Sequence, residues 1–440
     1  MNIAVMTDAT RPVRTAAWLR AWPYWPAISH PVVRRLLPGY TLSALGDGMS
    51  AVAVAWLALR LAPRGSQGLW VGAAVAAYSI PGALGAAFLG RWLRDRAGVR
   101  LARADATLRA AALATIPILS AAHLLYPAGY VTLLGVSSLL HAWGAAGQYT
   151  LIAEVLPARH RLAGNALLAG VTTVTFVIGP ALAGLLTVAA GPAPVIGADA
   201  VSWAILAISY ARVAPMLSSG QPAPAGSCTP KDVKPSCSSN LRTIFSSRTL
   251  LGLMSLSFAF FLLYGPVEVA LPVHVAGDLH GSAGLLGSFW AANGAGAVLG
   301  SLIAPYLRHW PLWPTMIGIV AGWGVALLPL GFCAPIGVCL AAFAAGGVIY
   351  APYNSIAMVV FQGSAPAGQL AGLLAARAGM MILAVPLGTA LGGPLVAALG
   401  AHGTLRVSSL ATIALALFAA AGSIARRRPP KAMPHRLLHP

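Results

Sequence analysis

Residues 90–110 read GRWLRDRAGVRLARADATLRA, six arginines and two aspartates set between two stretches that are almost wholly apolar. The contrast with the flanks decides the fold. Across 440 residues only 8% are charged and 58% are hydrophobic, with a mean hydropathy of +0.78, whereas a soluble domain carries about 25% charged residues. Charge is confined to short segments. Between them lie apolar runs of about 20 residues or more, enough to cross a hydrocarbon layer about 30 Å thick as helices. The sequence predicts an all-α membrane protein and excludes a water-soluble fold.

The runs fall at 39–61, 69–90, 101–122, 128–153, 162–189, 193–211, 249–275, 283–307, 312–332, 335–361, 368–398 and 402–425, about twelve spans in all. Arginine and lysine concentrate before the first run, at 91–103, at Arg159 and Arg161, in 212–248 and in the tail. Basic loops stay in the cytoplasm, so these segments predict both termini on the inner side of the cell membrane. Arg60 and Arg64 fall on the outer side, where long side chains at a span end snorkel to the interface. The expected organisation is a cytoplasmic amphipathic arm (1–38), a six-helix bundle (39–211), a Pro/Ser/Gly-rich cytoplasmic linker (212–248), a second six-helix bundle (249–425) and a basic tail (426–440). In the arm, Trp18, Trp22, Tyr24 and Trp25 stand near arginines, a composition suited to the headgroup layer.

The net charge of +19 does not point to nucleic acid, because the basic residues flank hydrophobic runs and form no basic module. The first run is too long for a removable signal peptide. Cys228, Cys237, Cys333 and Cys339 lack metal-ligand spacing and read as structural, and no cofactor is expected.

The halves repeat. GPALAGLLTVAAG at 179–191 and GTALGGPLVAALG at 388–400 share seven of thirteen residues without a gap, and Pro157 and Pro366 precede them at the same offset of 209. Each segment is the fifth span of its half. Two six-span halves in parallel repeat are the architecture of a transporter with a central site between them.

Asp95, Arg96, Gly98 and Arg100 give DRxGxR in the short loop between spans two and three. That loop resembles the signature loop of the major facilitator superfamily. A finer resemblance, to the branch holding macrolide efflux proteins and the enterobactin exporter, is carried by LGDGMS at 45–50, ADATLRA in span three and GNALLAGVTTVTFVIGPALAGLL at 164–186. The resemblance implies the major facilitator fold, alternating access, and a loop that stabilises the outward-open state. Two roles fit the loop. As a latch, Asp95 would lie against the positive amino end of span eleven near Gln369 while Arg96 or Arg100 pairs with Glu154; alternatively the arginines only fix topology. Gly179, Pro180 and Gly184, with Gly388, Gly392 and Gly393 in the second half, form a packing motif of small residues. The first set resembles the fifth-span motif of exporters that exchange substrate for protons.

Nine residues are acidic. Burying an ionised carboxylate costs at least about 2.5 kcal/mol, so each intramembrane one needs a cavity, a partner or a proton. Asp105 has Arg109 one turn on and reads as an intramembrane ion pair, while Asp199, early in span six, reads as a cap or a group facing outer water. Asp47 and Glu268 have no cation within a turn. They stand in the first spans of the two halves, which line the central cavity in the resemblance, and are the candidates for proton coupling; pairing with a distant arginine such as Arg377 is the alternative. By span position Gln148, Tyr264, Trp290, Asn293, Asn354 and Arg377 are candidates for a mostly apolar substrate cavity.

These features favour a proton-coupled exporter of amphipathic small molecules, drugs or secondary metabolites, whose partners are substrate, protons and the lipid bilayer. An importer of the same fold and a lipid or siderophore translocator are the alternatives. An enzyme is not expected, since HExxH, GxSxG and the GxxxxGK[ST] phosphate loop are all missing from the sequence.

Overall fold

Helix boundaries follow the proline and glycine punctuation of the chain. The computed structural model describes residues 24–88, 97–218, 243–332, 334–364 and 370–427, and all of its regular structure is helical. After a short turn of helix at Trp25–Ile28, α1 spans Pro31–Leu61, α2 Gln67–Phe88, α3 Gly98–Ala121, α5 Ala158–Ala190, α6 Pro192–Ser218, α7 Arg248–Gly277, α8 Ala283–Ile303 and α9 Leu312–Gly331. Two helices are broken: α4 runs as Pro127–Ser138 and His141–Val155, and α10 as Ile336–Tyr350 and Tyr353–Ser364. Leu370–Arg427 holds two helices that meet at Gly400, whose φ of +72° is non-helical, giving α11 (370–399) and α12 (401–427).

Eight stretches among the described residues are long and apolar enough to cross a membrane. The α11–α12 pair counts there as one, and α2, α3 and α4 complete twelve. Two expected boundaries change. α1 begins at Pro31 instead of 39, because proline suits the first turn and His30 caps it by accepting from the Val32 amide. Spans four and ten are each discontinuous, breaking near Leu139 and Pro352, at equivalent places in the two halves.

That symmetry extends to the joints. Gly191 between α5 and α6 has φ +88° and Gly400 between α11 and α12 has φ +72°, a left-handed conformation that glycine adopts without a Cβ penalty. They lie 209 residues apart, the offset of the sequence repeat.

In a bilayer no hydrophobic force drives helix against helix, so close approach of backbones supplies the packing. The glycines serve this. Gly179 of α5 meets Gly48 of α1, and Gly388 of α11 meets Gly265 of α7, where an added Cβ would lie 2.6–2.7 Å from facing backbone in the first crossing and closer in the second. Gly392 packs on Pro266 and Val269 of α7. Between the halves, Gly184 of α5 lies on Gly287 and Ala283 of α8, and Gly393 of α11 lies on Gly68, Leu69 and Gly72 of α2. Both inter-half crossings sit at the end of the bundle remote from the termini. Large apolar side chains cover the perimeter, among them Phe418 at 80% exposure, where lipid takes the place of core.

Candidate functional site

The LGDGMS segment in the middle of α1 places its residues by helical rotation. Gly46 leaves room for Asp199 and Ser202 of α6, since a Cβ there would strike both side chains. Gly48 turns to α5. Ser50 donates a hydrogen bond to Asp199. Asp47, between the glycines, is 35% exposed and faces a cavity at mid-depth.

Asp47 is paired. Arg109 Nη1 of α3 lies 2.7 Å from Asp47 Oδ1, and the Tyr78 hydroxyl of α2 donates to the same oxygen at 3.0 Å. The guanidinium carbon lies 4.6 Å from the Trp203 ring centre and 5.1 Å from that of Tyr78, so aromatic faces replace water around a buried cation. Asp105 is the weaker partner, its Oδ1 4.0 Å from Arg109 Nε. The expected Asp105–Arg109 pair therefore exists, but Arg109 reaches farther and binds Asp47 more closely, because its long stem spans to α1 as easily as back one turn. Asp105 Oδ2 also lies 3.7 Å from Nδ1 of His141 on α4, whose side chain is about half exposed to the cavity. Asp199 is fully buried, correcting its expected place as a cap or outward-facing group: Ser50 and Ser202 satisfy it, and Gly46 makes the space.

The cavity has a water-accessible volume of about 440 Å³. Both proton-coupling candidates line it, Asp47 from the first half and Glu268 from α7. Among the described residues Glu268 has no hydrogen-bond or ion-pair partner. Most of the wall comes from the first half, with Tyr40, Ser43, Gln148, Tyr149 and Thr172 leading toward the end that carries the termini. Trp290 of α8 adds an aromatic face.

Of the other cavity candidates, Gln148 and Trp290 line it and four do not. Tyr264 packs on Trp323 with ring centres 5.8 Å apart, and Asn293 donates to the Phe343 carbonyl at 3.1 Å, so both serve packing inside the second half. Asn354 lies beside Tyr350, and Arg377 on α11 lies near Tyr353, both in the second half. Span position alone does not fix which face of a helix a residue occupies. Asp95, Arg96 and Gln369 lie outside the described residues, as do Cys228, Cys237 and Cys333. Gly98 is buried where α3 crosses Gly147 of α4, while Arg100 and Glu154 are exposed and make no ion pair among the described residues. Cys339 is buried, and its thiol donates to the Ala334 carbonyl at 3.4 Å. Tyr78, His141 and Trp203 were not anticipated. His141 carried a signal, a titratable group in an apolar span, and the insertion cost applied to the acids would have singled it out.

Two six-helix halves in tight contact at one end, enclosing a cavity with a carboxylate from each half, make up a secondary transporter. Residues 36–376 match the profile of the Major Facilitator Superfamily, and the chain belongs to that superfamily. It is 28% identical over 389 residues to the multidrug efflux pump Tap of Mycobacterium tuberculosis, covering 86% of this chain and 90% of that one. In fold it is similar to a bacterial homolog of the human lysosomal transporter Spinster in an inward-facing, unoccupied conformation (TM-score 0.62, 13% identity, 91% and 98% of the two chains). It is also similar to a bacterial homologue of the iron transporter ferroportin in an inward-facing state (TM-score 0.65, 16% identity, 88% and 98%). It is a multi-pass protein of the cell membrane.

Proposed function

We propose that the protein exports amphipathic small molecules in exchange for protons, with both termini, the linker 212–248 and the tail 426–440 in the cytoplasm. The observation that carries this is the meeting of Asp47 and Glu268, one from the first helix of each half, on a single cavity. The likeness to a multidrug efflux pump over most of both chains supports the direction, and the basic segments support the orientation.

The chemistry follows from the walls. Tyr40, Phe176, Trp203 and Trp290 offer apolar faces, and a few polar groups orient a bound molecule. With the glycine crossings closed at the far end, the cavity addresses the cytoplasm and loads substrate from there. Rocking the halves about the midplane turns it outward. Protons arriving on Asp47 and Glu268 from outside neutralise the cavity, favour release and permit return; the carboxylates shed them inside. Neutral Asp47 also loosens its hold on Arg109, which ties protonation to the packing of α1 on α3.

Energised inverted vesicles test this with ethidium as the probe. Uptake driven by acid inside, lost when the gradient is collapsed, is the expected result. Ethidium movement indifferent to the gradient overturns the coupling.

A further inference from the structure

Arg109 Nε and Asp105 Oδ1 are both buried, both lack a hydrogen-bond partner among the described residues, and lie 4.0 Å apart. That distance is just beyond hydrogen-bond reach, and a shift of about 1 Å would satisfy both groups at once. Arg109 meanwhile spends Nη1 on Asp47. One buried cation thus stands between two carboxylates and satisfies one. The oxygen of Asp105 on the other side faces His141, which opens onto the cavity.

We infer that Asp105 and His141 form a second protonation station, linked to Asp47 by an Arg109 that alternates between the two carboxylates; within the transport cycle this rests on the proton-coupled reading above. While Asp47 is ionised, Arg109 holds it, and protonated His141 balances Asp105. When Asp47 takes a proton from cavity water, an O–H bond forms there and its attraction for the guanidinium falls. Arg109, protonated throughout, closes on Asp105. His141 then loses its counter-charge and releases its proton to cavity water, breaking an N–H bond. Charge in the cluster is conserved, with one proton bound and one released.

The groups that face Asp105 are few. Arg109 lies on its own helix, His141 on α4 and Tyr210 on α6. Through Arg109 it also senses Asp47 on α1, Tyr78 on α2 and Asp199 on α6. Gly144 of α4 presses directly against the Asp105 carboxylate, so that side chain has no room to retreat and the mobile partner is the arginine.

Trp203 reports on the switch because its ring lies 4.6 Å from the guanidinium. The full chain is labelled with 5-fluorotryptophan, purified in lipid nanodiscs and followed by fluorine NMR between about pH 5 and 9, with Trp203→Phe assigning the resonance. The wild-type resonance is expected to shift with pH. In His141→Gln the midpoint moves by at least about half a pH unit, and in Asp105→Asn the shift is lost. A wild-type resonance that does not titrate, or a midpoint unchanged in both variants, overturns the inference. If Asp105→Asn does not fold, the half-exposed His141→Gln decides alone. Expected NMR behaviour beside ethidium flux that ignores the proton gradient sinks the exporter reading and leaves the linked pair standing.

Discussion

Arg109 on α3 and Asp47 on α1 meet at 2.7 Å across 62 residues of chain, and only the carboxylate is open to the cavity. The pair is asymmetric in consequence. Removing the cation strands Asp47 and Asp105 together, whereas removing the Asp47 charge leaves Arg109 with Asp105 in reach. Arg109→Gln is therefore expected to cost about 3–5 kcal/mol, in the range for breaking buried pairs, and Asp47→Asn about 1 kcal/mol. Thermal unfolding of the purified variants in detergent measures the order. Equal losses, or a greater loss in Asp47→Asn, count against Arg109 as the shared counter-ion.

Glu268 separates function from stability. Having no ion-pair or hydrogen-bond partner among the described residues, it holds nothing in place that Gln would fail to hold. Glu268→Gln should be at least as stable as the wild type, because it replaces a desolvated and unpaired carboxylate by a neutral amide, yet lose gradient-driven ethidium movement in vesicles. Full gradient-driven movement in this variant removes Glu268 from the coupling.

Much of this was legible in sequence. Twelve spans follow from the intervals between charges, and the repeat at 179–191 and 388–400 marks what prove to be equivalent crossings on α1 and α7 and equivalent joints at Gly191 and Gly400. Asp47 and Glu268 were findable because a carboxylate inside a membrane has few harmless explanations. The partner of Asp47 was not, since a contact between residues 47 and 109 depends on how helices rotate and cross. Rotation also explains Asn293: it occupies the right span at the right depth and turns its amide to the Phe343 carbonyl. In helices apolar on all sides, no moment in the sequence tells cavity face from lipid face.

The crossings inside each half predict a graded response. A side chain at Gly179 or Gly388 meets the facing backbone, which cannot yield as a flexible side chain does. Gly179→Val and Gly388→Val are each expected to destabilise by about 1–3 kcal/mol, the usual range for overpacking. Gly170→Ala and Gly363→Ala, where an added Cβ meets nothing within 4 Å among the described residues, should be neutral or slightly stabilising in helix. Unfolding midpoints of the four proteins check this, and a uniform response would show that these glycines do not set helix spacing.

The crossings between halves should behave differently, because in the proposed cycle they part when the cavity turns outward. Gly72 of α2 meets Gly393 of α11, and Gly287 of α8 meets Gly184 of α5, all at the end remote from the termini. Bulk there opposes closure of that end but leaves the packing within each half intact. If Gly72→Val or Gly287→Val raises the closed state by about 1–3 kcal/mol, the equilibrium moves toward the outward-facing form about 5- to 150-fold. A single cysteine at the cavity-lining Ser79, in a chain otherwise free of cysteine, reads the shift through a membrane-impermeant maleimide added from the outer side. Labelling should rise in both variants while the unfolding temperature stays close to wild type. Unchanged labelling with a lowered unfolding temperature would assign these glycines to ordinary packing, and the outer seal would have to be sought elsewhere.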